Sequence, residues 1–129
     1  MRLGRWLLQD SSGNCYITGY CSSGVTFGQF TAPSNGCFVA KLSVLGAWEW
    51  VAFSNATRST GIGIDAFGNC YITGYYSGTV AFGGTYLTAL GDYDVFVAKL
   101  NPAGAWQWAV SAGGAGQDIS YSIAVPASG

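Results

Sequence analysis

The stretch Asp10-Ser-Ser-Gly-Asn-Cys-Tyr-Ile-Thr-Gly-Tyr20 decides the fold, because it returns 55 residues later as Asp65-Ala-Phe-Gly-Asn-Cys-Tyr-Ile-Thr-Gly-Tyr75. Each copy opens with an Asp-x-x-Gly-Asn turn and runs into an apolar, β-branched and aromatic segment typical of a strand. In such a turn the Asp side chain accepts hydrogen bonds from backbone amides two residues on, and the Gly supplies the positive φ of a tight hairpin. We therefore interpret six residues as structural turn residues: Asp10, Gly13, Asn14, Asp65, Gly68 and Asn69.

Two further blocks repeat in the same order. Residues 38–42 return as residues 96–100, and residues 46–50 return as residues 104–108, both at an offset of 58. The change of offset from 55 to 58 indicates an insertion of three residues in the second copy. Three matched blocks in one order identify an internal repeat.

A third copy is predicted to begin near the end of the chain, because residues 123–129 resemble residues 62–68. The predicted organisation is a first blade-like repeat at 1–60, a second at 61–118, and the first strand of a third repeat at 119–129.

Each repeat is predicted to hold four short antiparallel strands and no helix. The strands are placed at 7–9, 15–21, 37–42 and 47–53 in the first copy, and at 61–65, 70–76, 95–100 and 105–111 in the second. Period-two alternation is expected to put Trp106 and Trp108 on one face of their sheet. Four strands per period of 55–58 residues are typical of a β-propeller blade. The fold class is therefore all-β, with tandem four-stranded antiparallel blades, two units and the first strand of a third.

The blocks D-x-x-G-N-x-Y-I-T-G-Y, F-V-A-K-L and G-x-W-x-W together resemble the bacterial β-propeller repeat called SBBP. That repeat occurs in large secreted and surface proteins, so the resemblance implies the architecture and an extracellular or cell-surface setting. It implies no catalytic residues. The chain departs from the pattern at Pro126, where the third copy would carry the turn Asp, and at Cys15 and Cys70, where an aliphatic residue is usual.

The composition favours contact with other protein. Charged residues make up 9% of the chain and aromatic residues 16%, so either much of the surface meets other protein or Ser, Thr, Asn and Gly form the polar exterior. The net charge is −1 and the five cations are scattered, which excludes a patch for nucleic acid. No apolar run approaches the roughly 18 residues of a membrane-spanning helix.

Two blades cannot bury their own faces, because rings of blades close with about four to eight. The chain is therefore expected to be a fragment of a longer propeller, to close a ring by association with copies of itself, or to stack head to tail as a filament. The repeated tryptophans have two interpretations, packing between blades or stacking on glycans in a lectin-like module. They are Trp48, Trp50, Trp106 and Trp108.

The chain is not expected to be an enzyme or to hold a cofactor. It has no histidine, so the usual triads and His-based acid–base catalysis are excluded. Asp92 and Asp94 could supply oxygen ligands to Ca²⁺, but turn capping is the favoured interpretation. Lys41 and Lys99 repeat within one strand, where their alkyl stems are expected to cover apolar surface.

The cysteines suggest one disulfide. Cys21 and Cys37 are replaced together in the second copy, by Tyr76 and Val95, as a bonded pair would be. The alternative is two unrelated small core residues. A disulfide would indicate an oxidising compartment, whereas Zn²⁺ is disfavoured without histidine or a C-x₂-C pair.

Asn55-Ala-Thr57 is a sequon for N-glycosylation at Asn55. Taken together, these features predict a secreted structural or interaction protein that assembles with itself into an extracellular filament or surface layer. The alternatives are a lectin-like ring closed by oligomerisation and a piece of a larger surface adhesin.

Overall fold

The computed structural model of the chain describes residues 2–4 and 6–113. Every regular element in this part is a β-strand. The strands are β1 (Arg2–Gly4), β2 (Leu7–Gln9), β3 (Cys15–Cys21), β4 (Thr26–Phe27), β5 (Phe30–Thr31), β6 (Gly36–Leu42), β7 (Trp48–Ser54), β8 (Arg58–Ile64), β9 (Cys70–Tyr76), β10 (Thr79–Phe82), β11 (Thr85–Thr88), β12 (Asp94–Leu100) and β13 (Trp106–Ala112). The strand predicted within residues 119–129 lies outside the described residues.

The two repeats form two antiparallel sheets of the same design. Sheet I has the strand order β2-β3-β6-β7, and sheet II has the order β8-β9-β12-β13, with β1 added at its β8 edge. Strands β3 and β9 have the predicted bounds. Strand β8 begins at Arg58, three residues before the predicted start, and carries a β-bulge between Ser59 and Gly61. The described residues thus form two blade-like sheets rather than a closed ring.

A small hairpin follows the second strand of each sheet, β4–β5 in sheet I and β10–β11 in sheet II. Neither hairpin was predicted. Each turns a phenylalanine onto its own sheet: the Phe27 ring centroid is 4.7 Å from that of Phe38, and the Phe82 centroid is 4.8 Å from that of Phe96. The hairpins therefore cover part of one face of each sheet with aromatic side chains.

The core lies between the two sheets. The faces that pack together are called the inner faces, and those that point away the outer faces. The inner face of sheet I includes Tyr16, Thr18, Val39, Trp50, Ala52 and Ser54, and that of sheet II includes Cys70, Ile72, Phe96, Ala98 and Leu100; all of them are buried. The side chains that alternate with these along each strand point to the outer face.

Candidate functional site: the faces of the two sheets

A β-bulge places the two tryptophans of each repeat on opposite faces of the sheet. In sheet I, Trp48 lies opposite Leu42 and Trp50 lies opposite Lys41, which leaves Glu49 as the extra residue. Leu42 and Lys41 are neighbours in one strand, so their partners point to opposite faces. The same register shift occurs in sheet II. The prediction that both tryptophans share a face is wrong, because the extra residue reverses the alternation.

One tryptophan from each sheet donates a hydrogen bond across the inner interface. The Trp50 indole Nε1 donates a hydrogen bond to the carbonyl oxygen of Pro102, at 3.1 Å. In return, the Trp106 Nε1 donates to the carbonyl oxygen of Phe53, at 3.2 Å. Each indole thus buries its apolar body between the sheets and satisfies its polar edge on the backbone of the other repeat.

The turn between β12 and β13 fits closely around the Trp50 ring. At Gly104 a Cβ would lie 2.5 Å from the nearest ring atom of Trp50, and the backbone φ is +83°. Both the space and the conformation therefore require glycine at this position. At Gly46, which holds the same place in the first repeat, φ is +84° but a Cβ would meet nothing within 4 Å.

The two outer faces carry the same kinds of residues as the inner ones but are far less buried. Trp108 is 39% exposed where its counterpart Trp50 is 9% exposed. Val110 is 54% exposed where its counterpart Ala52 is 6% exposed. The outer face of sheet I is likewise only half-buried at Cys15, Ile17, Phe38 and Leu42, whereas the matching residues of the inner face of sheet II are fully buried.

The six turn residues lie in two turns of the same construction. The Asp65 Oδ1 accepts hydrogen bonds from the backbone N–H groups of Phe67 and Asn69, at 2.9 and 3.0 Å. Its Oδ2 accepts from Asn69 Nδ2 at 2.9 Å and from the Tyr71 hydroxyl at 3.0 Å. Asp10 makes the four equivalent bonds in the first repeat. Gly13 and Gly68 have φ of 89° and 86°, the left-handed conformation that favours glycine.

These hydrogen bonds set the charge state of both carboxyl groups. Burial alone would raise the pKa of Asp10 and Asp65, but the hydrogen bonds, those from Asn14 and Asn69 foremost, outweigh it and hold the pKa below the ordinary value. Burial and the adjacent carboxylate raise the pKa of the Tyr71 hydroxyl. The two aspartates therefore act as ionised turn caps.

Acid is expected to destabilise the fold below about pH 4. The pKa of both aspartates is lower in the folded than in the unfolded chain, so the unfolded chain binds more protons. The stabilisation is complete above the unfolded-state pKa of about 3.9 and is lost as the pH falls through the folded-state pKa. Urea unfolding between pH 6 and pH 2 measures the loss. The double variant Asp10→Asn/Asp65→Asn should show a flatter pH dependence, and an unchanged one would contradict this assignment.

The predicted disulfide is not formed, since all four cysteines are free thiols. The strand register pairs Cys21 with Gly36 and Cys37 with Tyr20. Cys21 and Cys37 are therefore offset from each other by one position across the strand pair. Because neighbouring residues in a strand point to opposite faces, this register turns the two sulfur atoms apart. An extracellular setting consequently rests on the family resemblance and draws no support from the cysteines.

Native thiol reactivity is expected to differ among the cysteines. Burial raises the pKa of Cys37 to about 12 and also raises the pKa of Cys70, so both should resist alkylation in the folded protein. Cys15 is half-buried and should react first. Iodoacetamide labelling followed by intact-mass analysis tests this, with four labelled thiols expected after unfolding without reductant. Two thiols that stay unlabelled until reductant is added would contradict the free-thiol assignment.

The glycosylation candidate Asn55 is exposed and also has a structural contact. Its Oδ1 accepts a hydrogen bond from the backbone N–H of Ala81 at 2.8 Å. Thr57, the third residue of the sequon, accepts from the backbone N–H of Ser77 at 3.2 Å. Glycosylation stays a prediction for this site.

Asp94 and the two lysines singled out above have structural contacts, whereas Asp92 is exposed. Asp94 is buried, and its Oδ2 accepts from the backbone N–H of Leu90 at 3.0 Å, as a turn cap does. Lys41 Nζ lies 5.7 Å from the centroid of the Tyr16 ring, a cation–π contact that recurs in sheet II. Within residues 2–4 and 6–113, no three cysteine or carboxylate side chains are grouped as a metal site would need.

A cleft of about 410 Å³ opens between the sheets at the start of β8. Trp6, Tyr20, Arg58 and Tyr75 are among its lining residues, together with Thr18 and Ser59. Tyr20 and Tyr75 are repeat counterparts, but Trp6 and Arg58 do not recur in the other copy. The repeat pattern therefore gave no signal for Trp6 or Arg58, and neither was predicted to line a site.

A scan against protein-family models found no match to this chain, and a search of curated proteins found no significant relative. The likeness to the SBBP repeat therefore stays a prediction from the three sequence blocks. Among the described residues, no helix is long and apolar enough to cross a bilayer.

Proposed function

We propose that this chain is a non-enzymatic structural or interaction protein of the extracellular space, whose blade-like sheets assemble with further copies into a filament or surface layer. The observation that carries the proposal is the unequal burial of equivalent residues. Trp50 is 9% exposed inside the chain, whereas Trp108, in the same place on the next sheet, is 39% exposed. A sheet of a second copy that packed on the outer face of sheet II would bury Trp108.

The two outer faces differ from each other, which sets the type of assembly. The outer face of sheet II carries Trp108 and Val110, and that of sheet I carries Phe38 and Leu42. An interface that joins two different faces is heterologous, so copies would add head to tail. Such a contact closes into a ring or grows as an open filament, depending on the rotation between copies.

The polar groups support a structural role. Asp10 and Asp65 accept backbone hydrogen bonds in turns, and Lys41 and Lys99 lie over tyrosine rings. These repeated groups serve the sheets themselves. Residues that stabilise each sheet are expected to occur once in every repeat, whereas a catalytic centre needs each of its groups only once in the protein.

Sedimentation velocity between about 1 and 100 µM, with negative-stain imaging, tests the proposal. Growing polymers support an open filament, and one discrete mass of several copies supports a closed ring. A monomer throughout this range would refute self-assembly.

A second candidate function is glycan binding, favoured by the cleft between the sheets. Its volume of about 410 Å³ lies within the range of small-ligand sites, and aromatic rings with hydroxyl groups line it. Because Trp6 is 56% exposed there, a bound sugar should change its fluorescence. Titration with a broad glycan panel tests this, with Trp6→Phe as the control. No response from any glycan would remove this candidate.

A further inference from the structure

We propose that Trp108 of one copy docks on the turn at residues 43–47 of a second copy, while Trp48 of the second copy docks on the outer face of sheet II of the first copy. The inference rests on the proposed self-assembly and names the residues that carry it. It follows from four tryptophans at two repeated positions: among the described residues, Trp50 and Trp106 donate hydrogen bonds from their indoles between the sheets, and Trp48 and Trp108 do not.

The indole groups show which positions are still open. Trp50 and Trp106 donate their Nε1 hydrogens across the inner interface. Trp108 and Trp48 are their respective counterparts, and among the described residues neither has a hydrogen-bond partner for its indole. Tryptophan N–H groups usually find an acceptor when they are buried. One open indole therefore lies on each outer face.

Acceptors of the right kind exist on the opposite faces. Pro102, which accepts from Trp50, corresponds to Val44 in the first repeat, and Val44 is 64% exposed. Phe53, which accepts from Trp106, corresponds to Ser111 in the second repeat, and Ser111 is exposed. The predicted bonds between copies therefore run from Trp108 to the Val44 carbonyl oxygen, and from Trp48 to the Ser111 carbonyl oxygen.

The docking turn also has the required space. Gly104 lets the Trp50 ring approach so closely that a Cβ would lie 2.5 Å from it. Gly46 has the same backbone conformation, with φ of +84° against +83°, and the space beside it is open to 4 Å. The second repeat thus shows what fills this space: a tryptophan ring from the neighbouring sheet.

The interface between copies should be weaker than the one inside the chain. Inside, Ser54 Oγ donates to the Ala81 carbonyl oxygen at 2.6 Å. Its counterpart on the outer face of sheet II is Ala112, which has no hydroxyl, and the counterpart of Ala81 is Thr26. Ala112→Ser would restore this bond to the Thr26 carbonyl and should tighten association about fivefold.

Three single variants test the pairing by sedimentation velocity. Trp108→Ala removes the docking ring, and Gly46→Asn fills the space that receives it. Each should weaken association by about 30-fold or more, as central interface residues do. Asn tolerates a positive φ better than most residues. Gly78→Asn is the matched control, because Gly78 has φ of +64° and open space around it, and the hairpin β10–β11 that follows it lies on the inner face of sheet II. It should assemble as the wild type does.

A mixing experiment gives the sharper result. Trp108→Ala keeps an intact docking turn, and Gly46→Asn keeps an intact Trp108. Each variant alone should stay monomeric, but an equimolar mixture should form one-to-one dimers and grow no further. Far-UV circular dichroism of both variants should match that of the wild type.

The outcomes separate this pairing from self-assembly in general. If the wild type assembles and both variants assemble equally well, the pairing is wrong and the proposed function stands. If the variants are monomeric and their mixture also stays monomeric, the pairing is wrong again. A wild type that is monomeric at every concentration overturns both proposals.

Discussion

Replacing Trp50 with alanine is expected to lower the free energy of unfolding by about 3–5 kcal/mol, whereas the same change at Trp108 should cost less than about 1 kcal/mol. Trp50 is 9% exposed and donates a hydrogen bond to Pro102, so its replacement leaves a cavity between the sheets and removes this hydrogen bond. Trp108 is 39% exposed and has no such bond among the described residues.

Urea unfolding of both variants at sub-micromolar concentration measures this difference, because dilution keeps association from adding to the apparent stability. The pair is internally matched, since both residues occupy one position of the repeat. Equal losses at the two positions would mean that sheet I does not use its inner face as described.

Gly104→Ala is expected to destabilise the chain by about 2–5 kcal/mol, and Gly46→Ala by only about 1–2 kcal/mol. Both positions have a φ near +84°, so an L-residue is strained at each by about 1–2 kcal/mol. At Gly104 the new Cβ also collides with the Trp50 ring, and such overpacking costs about 1–3 kcal/mol more.

The double variant Gly104→Ala/Trp50→Ala identifies the source of the extra loss. If the collision causes it, removing the ring should make the alanine at position 104 no worse than at position 46. This is a double-mutant cycle between two residues in contact, read again by urea unfolding. Additive losses would place the cause in the turn itself.

Much of the fold could be predicted, because the repeat marks its own strands. The alternating segments 15–21 and 70–76 coincide with β3 and β9. The hairpin β4–β5 was missed because its strands have two residues each, too few for an alternation to be recognised. The hairpin β10–β11 was missed as well, although its strands have four residues each. The early start of β8 was missed because a bulge at Ser59 breaks its pattern.

The candidate site could be predicted only in its parts. Repetition pointed to the four tryptophans, but their faces depend on a bulge opposite Lys41 and Lys99, and no residue type signals that bulge. The joint replacement of Cys21 and Cys37 suggested a bond, yet strand register decides whether two sulfur atoms meet. Registers and bulges come from contacts between strands, which one sequence does not display.

The strand β1 has a consequence for how the chain folds. Its residue Arg2 pairs with Ile64, about sixty residues further along, while β2 only a few residues later belongs to sheet I. Closing so long a loop costs entropy before any contact repays it, so this pairing should form late and slowly. During synthesis on the ribosome, β1 must wait without its partner until β8 has emerged. Completion of sheet II at its β8 edge would then depend on a strand made about sixty residues earlier.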